Sequence, residues 1–112
     1  MLARVVLFTP RVDLSPSERA AVFSAFERAI TEIPSVRRVR VGRRVTFGAG
    51  YELGAAPDAP ALLAVIEFDD LAGLQSYLQH PAHEELGRRF NESTAAGFVY
   101  DFEWTTLSDL AV

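Results

Sequence analysis

Between Phe98 and Trp104 the chain alternates with a period of two. Phe98, Tyr100, Phe102 and Trp104 fall on one parity, and Val99, Asp101 and Glu103 on the other. Such alternation marks a β-strand, whose successive side chains point to opposite faces of a sheet. Here one of those faces is almost purely aromatic, and few folds can accommodate it. A partner layer must cover that face, because contiguous apolar patches of this size rarely stay in water on a monomer.

The rest of the chain says which layer is available. Arg4–Phe8 is a short apolar run closed by Pro10, read as a first strand buried on both faces. Ser15-Pro16-Ser17-Glu18 has the form of a capping box with proline at the first helical position. Val22, Phe23, Phe26, Ala29, Ile30 and Ile33 then recur at helical spacing until Pro34 ends the helix. A second strand is expected over 36–47, with Val39, Val41, Val45 and Phe47 on one parity and Arg38, Arg40 and Arg44 on the other. Residues 48–60, rich in glycine, alanine and proline, read as a mobile loop. Leu62–Phe68 is a third strand, apolar on both parities. Asp69 or Asp70 can cap a helix through Leu71, Leu74, Tyr77 and Leu78, which His80-Pro81 interrupts; Pro81 can open a further helix to about Asn91.

The order is β-α-β-β-α-β, the ferredoxin-like α+β pattern, with residues 1–112 expected to form a single domain. Helices cover only one face of such a sheet. The other carries the four aromatics together with Val5, Leu7, Leu63 and Val65. The expectation is a homodimer that buries the face bearing Phe98, Tyr100, Phe102 and Trp104 against its copy.

Composition narrows the function classes. Cysteine is absent, which removes disulfides and thiolate chemistry and suits a cytoplasmic protein. No run is apolar enough to span a membrane, and Met1–Phe8 reads as a strand and not a leader. The net charge of −4 argues against a nucleic-acid partner. Five arginines crowd into 36–45 (Arg37, Arg38, Arg40, Arg43 and Arg44), which suits either an anion patch or a charged edge strand; the acidic net charge favours the edge. G-x-S-x-G, P-loop and G-x-G-x-x-G motifs are missing, and no cofactor is expected.

Chemistry concentrates in Tyr77-Leu78-Gln79-His80-Pro81-Ala82-His83, which holds both histidines of the chain. With Pro81 as first helical residue, His80 is the N-cap and His83 sits in the first turn. The positive end of the helix disfavours a protonated ring there, leaving His83 as a neutral general base. Tyr77 can turn toward the same space and donate to an oxygen. The plainer alternative is a capping histidine and a core tyrosine. Zinc on His-x-x-His lacks a third ligand, so no metal is expected. Asp101 falls on the parity facing the helices and, being buried there, needs a partner; Arg4 on the neighbouring strand is the candidate.

The string Tyr-x-x-His-Pro-x-His resembles the stress-responsive dimeric α/β-barrel family, the Dabb domains. So do Ile33-Pro34, Val41-Gly42 and Phe68-Asp69-Asp70, over roughly residues 2–104. The resemblance implies two ferredoxin-like units joined into a barrel. One plant member, olivetolic acid cyclase, closes a linear polyketide into an aromatic ring with a tyrosine and a histidine that match Tyr77 and His83. The resemblance further implies a pocket between the first helix and the sheet, walled by Phe23 and Phe26. Arg4, Val6, Phe8, Ala64, His80, Leu86 and Asp101 complete it, with Arg4 standing where the family often carries histidine. It points to a cofactor-free cyclase or lyase acting on a hydrophobic, carbonyl-rich small molecule. A non-catalytic ligand-binding or stress-related dimer and a cofactor-free monooxygenase are the alternatives.

Overall fold

The computed structural model describes residues 1–54 and 59–111. Among them are strands β1 (Leu2–Pro10), β2 (Arg38–Arg43), β3 (Leu62–Phe68) and β4 (Thr94–Glu103). The helices are α1 (Pro16–Glu32), α2 (Leu71–Gln79), α3 (Pro81–Ser93) and a short α4 (Leu107–Leu110), with a 3-10 turn at Gly50–Gly54. The strands form one sheet of order β2-β3-β1-β4, antiparallel throughout. This is the ferredoxin-like α+β fold that the element order predicts.

Local chemistry sets the element ends. Ser15 Oγ accepts from Glu18 N at 3.1 Å while Ser15 N donates to Glu18 Oε1 at 3.4 Å, completing the capping box before Pro16. Asp70 caps α2 by accepting from Gly73 N at 2.9 Å. His80 closes α2 and opens α3: its N–H donates to Tyr77 O, and its Nδ1 accepts from Ala82 N at 3.0 Å. Pro81 then fits the first position of α3, whose N–H would lack an intrahelical partner anyway.

Strand β2 is shorter than the alternation predicts. Arg44 N donates to Ala61 O, but the next facing residue on the β3 side is Pro60, which has no N–H to offer. The chain leaves the sheet there, and both Glu52 carboxylate oxygens accept from the N–H groups of Phe47 and Gly48. Gly48 has φ +81°, in the left-handed region where glycine is at ease. Val45 and Phe47 consequently stand exposed, off the face they were expected to share with Val39 and Val41. Of the expected mobile loop, 55–58 lie outside the described residues. Strand β4 also departs from expectation by starting at Thr94, directly after α3, four residues before the aromatic alternation begins.

The core occupies one end of the helix-covered face. Ala25, Ala29 and Ile33 form a stripe on α1 that meets Ile66, Phe68, Leu74, Tyr77, Ala82 and Leu86. Small residues in that stripe let the helix close in, and Phe68 packs against Tyr77 with ring centroids 5.0 Å apart and the rings tilted by 56°. The apolar stripe predicted for α1 is therefore divided: Val22, Phe23, Phe26 and Ile30 lie beside the packed stripe and border a hollow. The reverse face of the sheet has no covering layer among the described residues. Leu7 pairs with Phe98, Val5 with Tyr100 and Ala3 with Phe102 across the β1–β4 ladder. Phe98, Tyr100, Phe102 and Trp104 are 46–56 % exposed. Strand β1 is thus mostly half-buried rather than buried on both faces, with Ala3 its one fully buried residue.

Candidate active site

The hollow between α1, α3 and the sheet encloses about 1280 Å³. Small side chains on the facing strands make room for it: Val6 pairs with Ala64 on one side and Val99 on the other, and Phe8 pairs with Gly97. At Gly97 a Cβ would lie 3.1 Å from the Phe90 ring, so the glycine is what seats that ring against Phe8 (centroids 5.4 Å apart) as the end wall. The opposite flank opens past edge strand β2, where Val41 is 70 % exposed.

Tyr77, from the last turn of α2, and His83, from the first turn of α3, both reach this cavity. The backbone turn at His80 brings their rings together, centroids 4.7 Å apart and inclined by 56°. Burial pushes the Tyr77 hydroxyl up to about 12, against a smaller opposing pull from the Arg4 charge. It is a neutral donor across the ordinary pH range, and no side-chain hydrogen bond occupies it among the described residues. Burial and then the Arg4 charge hold the His83 imidazole below its ordinary range, opposed by the Leu78 backbone and Glu84. His83 is therefore neutral near pH 7, for a reason the sequence reading did not name: desolvation and Arg4 dominate.

Arg4 grips Asp101 side-on, Nε to Oδ1 at 2.9 Å and Nη2 to Oδ2 at 2.9 Å. The pairing expected between neighbouring strands is present, and β1–β4 register sets it by placing the two residues opposite each other. Asp101 is not the buried carboxylate expected, however. Its side chain is 37 % exposed against 14 % for Arg4, because β4 is an edge strand within the chain.

Of the remaining pocket residues, Val6, Phe8, Phe23, Phe26, Ala64 and Leu86 all line the cavity. His80 does not. Its ring is turned to the start of α3, where Nδ1 accepts the capping hydrogen bond from Ala82 N. The two histidines therefore do not converge, and no group of three or more metal-ligating side chains occurs among the described residues. Residues that the sequence reading missed are Ile30, Val39, Phe90 and Val99 in the walls and Arg19 and Arg43 toward the open side. Helical periodicity already marks Ile30; the others become neighbours only through the packing of the helices on the sheet.

A sequence model of the stress responsive A/B barrel domain (Dabb) matches residues 2–104. Among solved structures, a protein of Arabidopsis thaliana superposes with TM-score 0.76 at 18 % identity, over 96 % of this chain and 98 % of that one. The hydroxynitrile lyase of Passiflora edulis gives TM-score 0.72 at 13 % identity, over 90 % of each chain. A dimeric ferredoxin-like protein of unknown function from Thermobifida fusca gives 0.69 at 18 % identity, over 92 % of this chain and 90 % of that one. At these identities the likeness is one of fold. No curated protein is significantly similar in sequence.

Proposed function

Because the chain belongs to the stress responsive A/B barrel (Dabb) family, we propose that it is a cofactor-free cyclase or lyase. Its substrate would be a hydrophobic, carbonyl-bearing small molecule. The observation that carries this reading is that Tyr77 and His83 reach the same cavity, with their ring centroids 4.7 Å apart. Neutral His83 takes a proton from a carbon or hydroxyl of the substrate, and the Tyr77 O–H donates to the oxygen on which charge develops. In ring closure, the resulting carbanion attacks a second carbonyl carbon of the same chain, and the alkoxide so formed takes the proton back from His83. In a lyase, the deprotonated hydroxyl collapses to a carbonyl as the bond to the neighbouring carbon group breaks, and that group leaves with the electron pair and takes the proton from His83.

The same reading includes a homodimer through the face carrying Phe98, Tyr100, Phe102 and Trp104. It is supported by their exposure and by the dimeric relative from Thermobifida fusca.

The test is turnover of a linear poly-β-keto thioester and of an aromatic hydroxynitrile, with ring-closed product or freed carbonyl read by mass spectrometry. His83→Ala is expected to lower kcat/KM by about 10²–10⁴, and Tyr77→Phe by about 10²–10³. Turnover unchanged in both variants, or absent from the wild type, would leave the chain as a ligand-binding dimer.

A further inference from the structure

The cavity lining is charged against the sign of the chain. The protein carries −4 overall, yet the residues bordering the hollow include three arginines, Arg4, Arg19 and Arg43, and one acid, Asp101. Asp101 is committed to Arg4 through both its oxygens. That side-on grip uses Nε and Nη2 of Arg4. It leaves both Nη1 hydrogens directed away from Asp101 with no side-chain acceptor among the described residues. Arg19 and Arg43 are exposed, and among the described residues neither has a carboxylate within ion-pair distance. The Arg19 guanidinium instead rests over the Phe23 ring, 5.8 Å from its centroid.

These charges sit at two ends of an apolar channel. Arg4 pairs with Ile66 and Asp101, at the end where Tyr77 and His83 meet. Arg43 pairs with Leu62, which in turn pairs with Phe8, roughly 13 Å further along the sheet by strand rise. Val6, Ala64 and Leu86 lie between. A neutral substrate would leave the net positive charge of this lining uncompensated. An apolar molecule with one acidic end satisfies both the walls and the unclaimed edge of Arg4, where burial strengthens a charge-assisted hydrogen bond.

We propose that the cavity takes an amphipathic carboxylic acid, its apolar body along Val6 and Leu86 and its carboxylate on the free Nη1 edge of Arg4 beside Tyr77 and His83. Arg19 and Arg43 draw the anion toward the open side, countering the repulsion of the acidic chain. This names a substrate class for the site described above and rests on that site being the one used.

The test is a matched pair of ligands, decanoate and decanol, titrated calorimetrically into the full chain. Decanoate is expected to bind at least about tenfold more tightly. Arg4→Gln combined with Asp101→Asn removes both charges while keeping hydrogen-bonding groups in place. It is expected to bring the ratio close to unity, with folding checked by circular dichroism. Arg19→Gln with Arg43→Gln is expected to weaken decanoate binding and flatten its dependence on salt. Equal affinities for the two ligands, a preference that survives loss of the Arg4 charge, or no binding of either would overturn the proposal. Salt dependence unchanged by the Arg19 and Arg43 substitutions would overturn their part in it. Binding is read without turnover, so the two readings fail separately. Decanoate preference with no effect of His83→Ala on any reaction sinks proton transfer alone, and turnover without preference sinks the acid alone.

Discussion

On the helix side of the sheet, Val6, Ala64 and Val99 form one cross-strand row and look into a hollow; on the reverse side Val5, Val65 and Tyr100 form the next row and face outward. The two rows are adjacent in sequence and use the same three strands. They differ in side-chain size where it matters most, on β4. Toward the helices β4 presents Gly97, Val99 and Asp101; away from them it presents Phe98, Tyr100 and Phe102. Small residues under a helical layer leave space that a ligand can fill, whereas large aromatics on a bare face supply area that only another surface can bury. The same alternation thus builds a container on one side and a contact surface on the other.

If the two faces are independent, each should be breakable without the other. The largest expected effect is on the aromatic side. Tyr100→Asp with Phe102→Asp places two carboxylates where the proposed interface would desolvate them, at a cost of several kcal/mol per unpaired charge. Sedimentation at micromolar concentration is expected to show a dimer for the wild type and a monomer for this variant. A variant that remains dimeric would move the interface elsewhere, and a wild type that is already monomeric would remove it.

A smaller effect separates the packed end of the helix side from its hollow end. Ile66 is fully buried in the core cluster, whereas Val6 is half-buried and faces the cavity. Ile66→Ala is expected to cost about 2–5 kcal/mol in urea unfolding. Val6→Ala is expected to cost less than about 1 kcal/mol, since it enlarges a space that already exists and forfeits few packing contacts. Equal losses would mean that the hollow is packed in solution.

The smallest effect concerns pH. The folded pKa of His83 lies below its unfolded value, so near and below about pH 6.5 the unfolded chain binds more protons. Its contribution to stability is present above that value and falls away as the solution is acidified through the folded pKa. His83→Gln is expected to flatten that part of the stability–pH curve, read by thermal melts between pH 5 and 8 at fixed ionic strength. A slope identical to that of the wild type would place His83 in water.

Much of this was legible in the chain before any coordinates. The capping box at Ser15, the break at His80-Pro81, the aromatic parity of β4 and the order of elements along the chain all rest on neighbours in sequence or on fixed periods of two and 3.6 residues. The Arg4–Asp101 pair was legible because the topology puts β1 beside β4. What misled was treating local patterns as complete. Val45 and Phe47 continue the alternation of β2, but a strand ends where its neighbour stops offering hydrogen bonds, and Pro60 ends this one. His80 is a pocket residue by family resemblance, yet its Nδ1 caps the start of α3 and its ring lies off the cavity.

The sequence by itself determined that four strands and their helices form one ferredoxin-like sheet with an aromatic face left over, and that Tyr77 and His83 flank a chain reversal. Periodicity and capping suffice for that, because both act over a few residues. Only the tertiary structure decided that the helices leave a hollow over Val6 and Ala64, that Tyr77 and His83 meet inside it, and that burial keeps both rings neutral near pH 7, with Arg4 adding to the effect at His83 alone. Whether a cavity exists depends on the summed volumes of side chains from several elements, and an imidazole's charge depends on burial and on a guanidinium 79 positions away in the chain. Neither quantity belongs to any one segment.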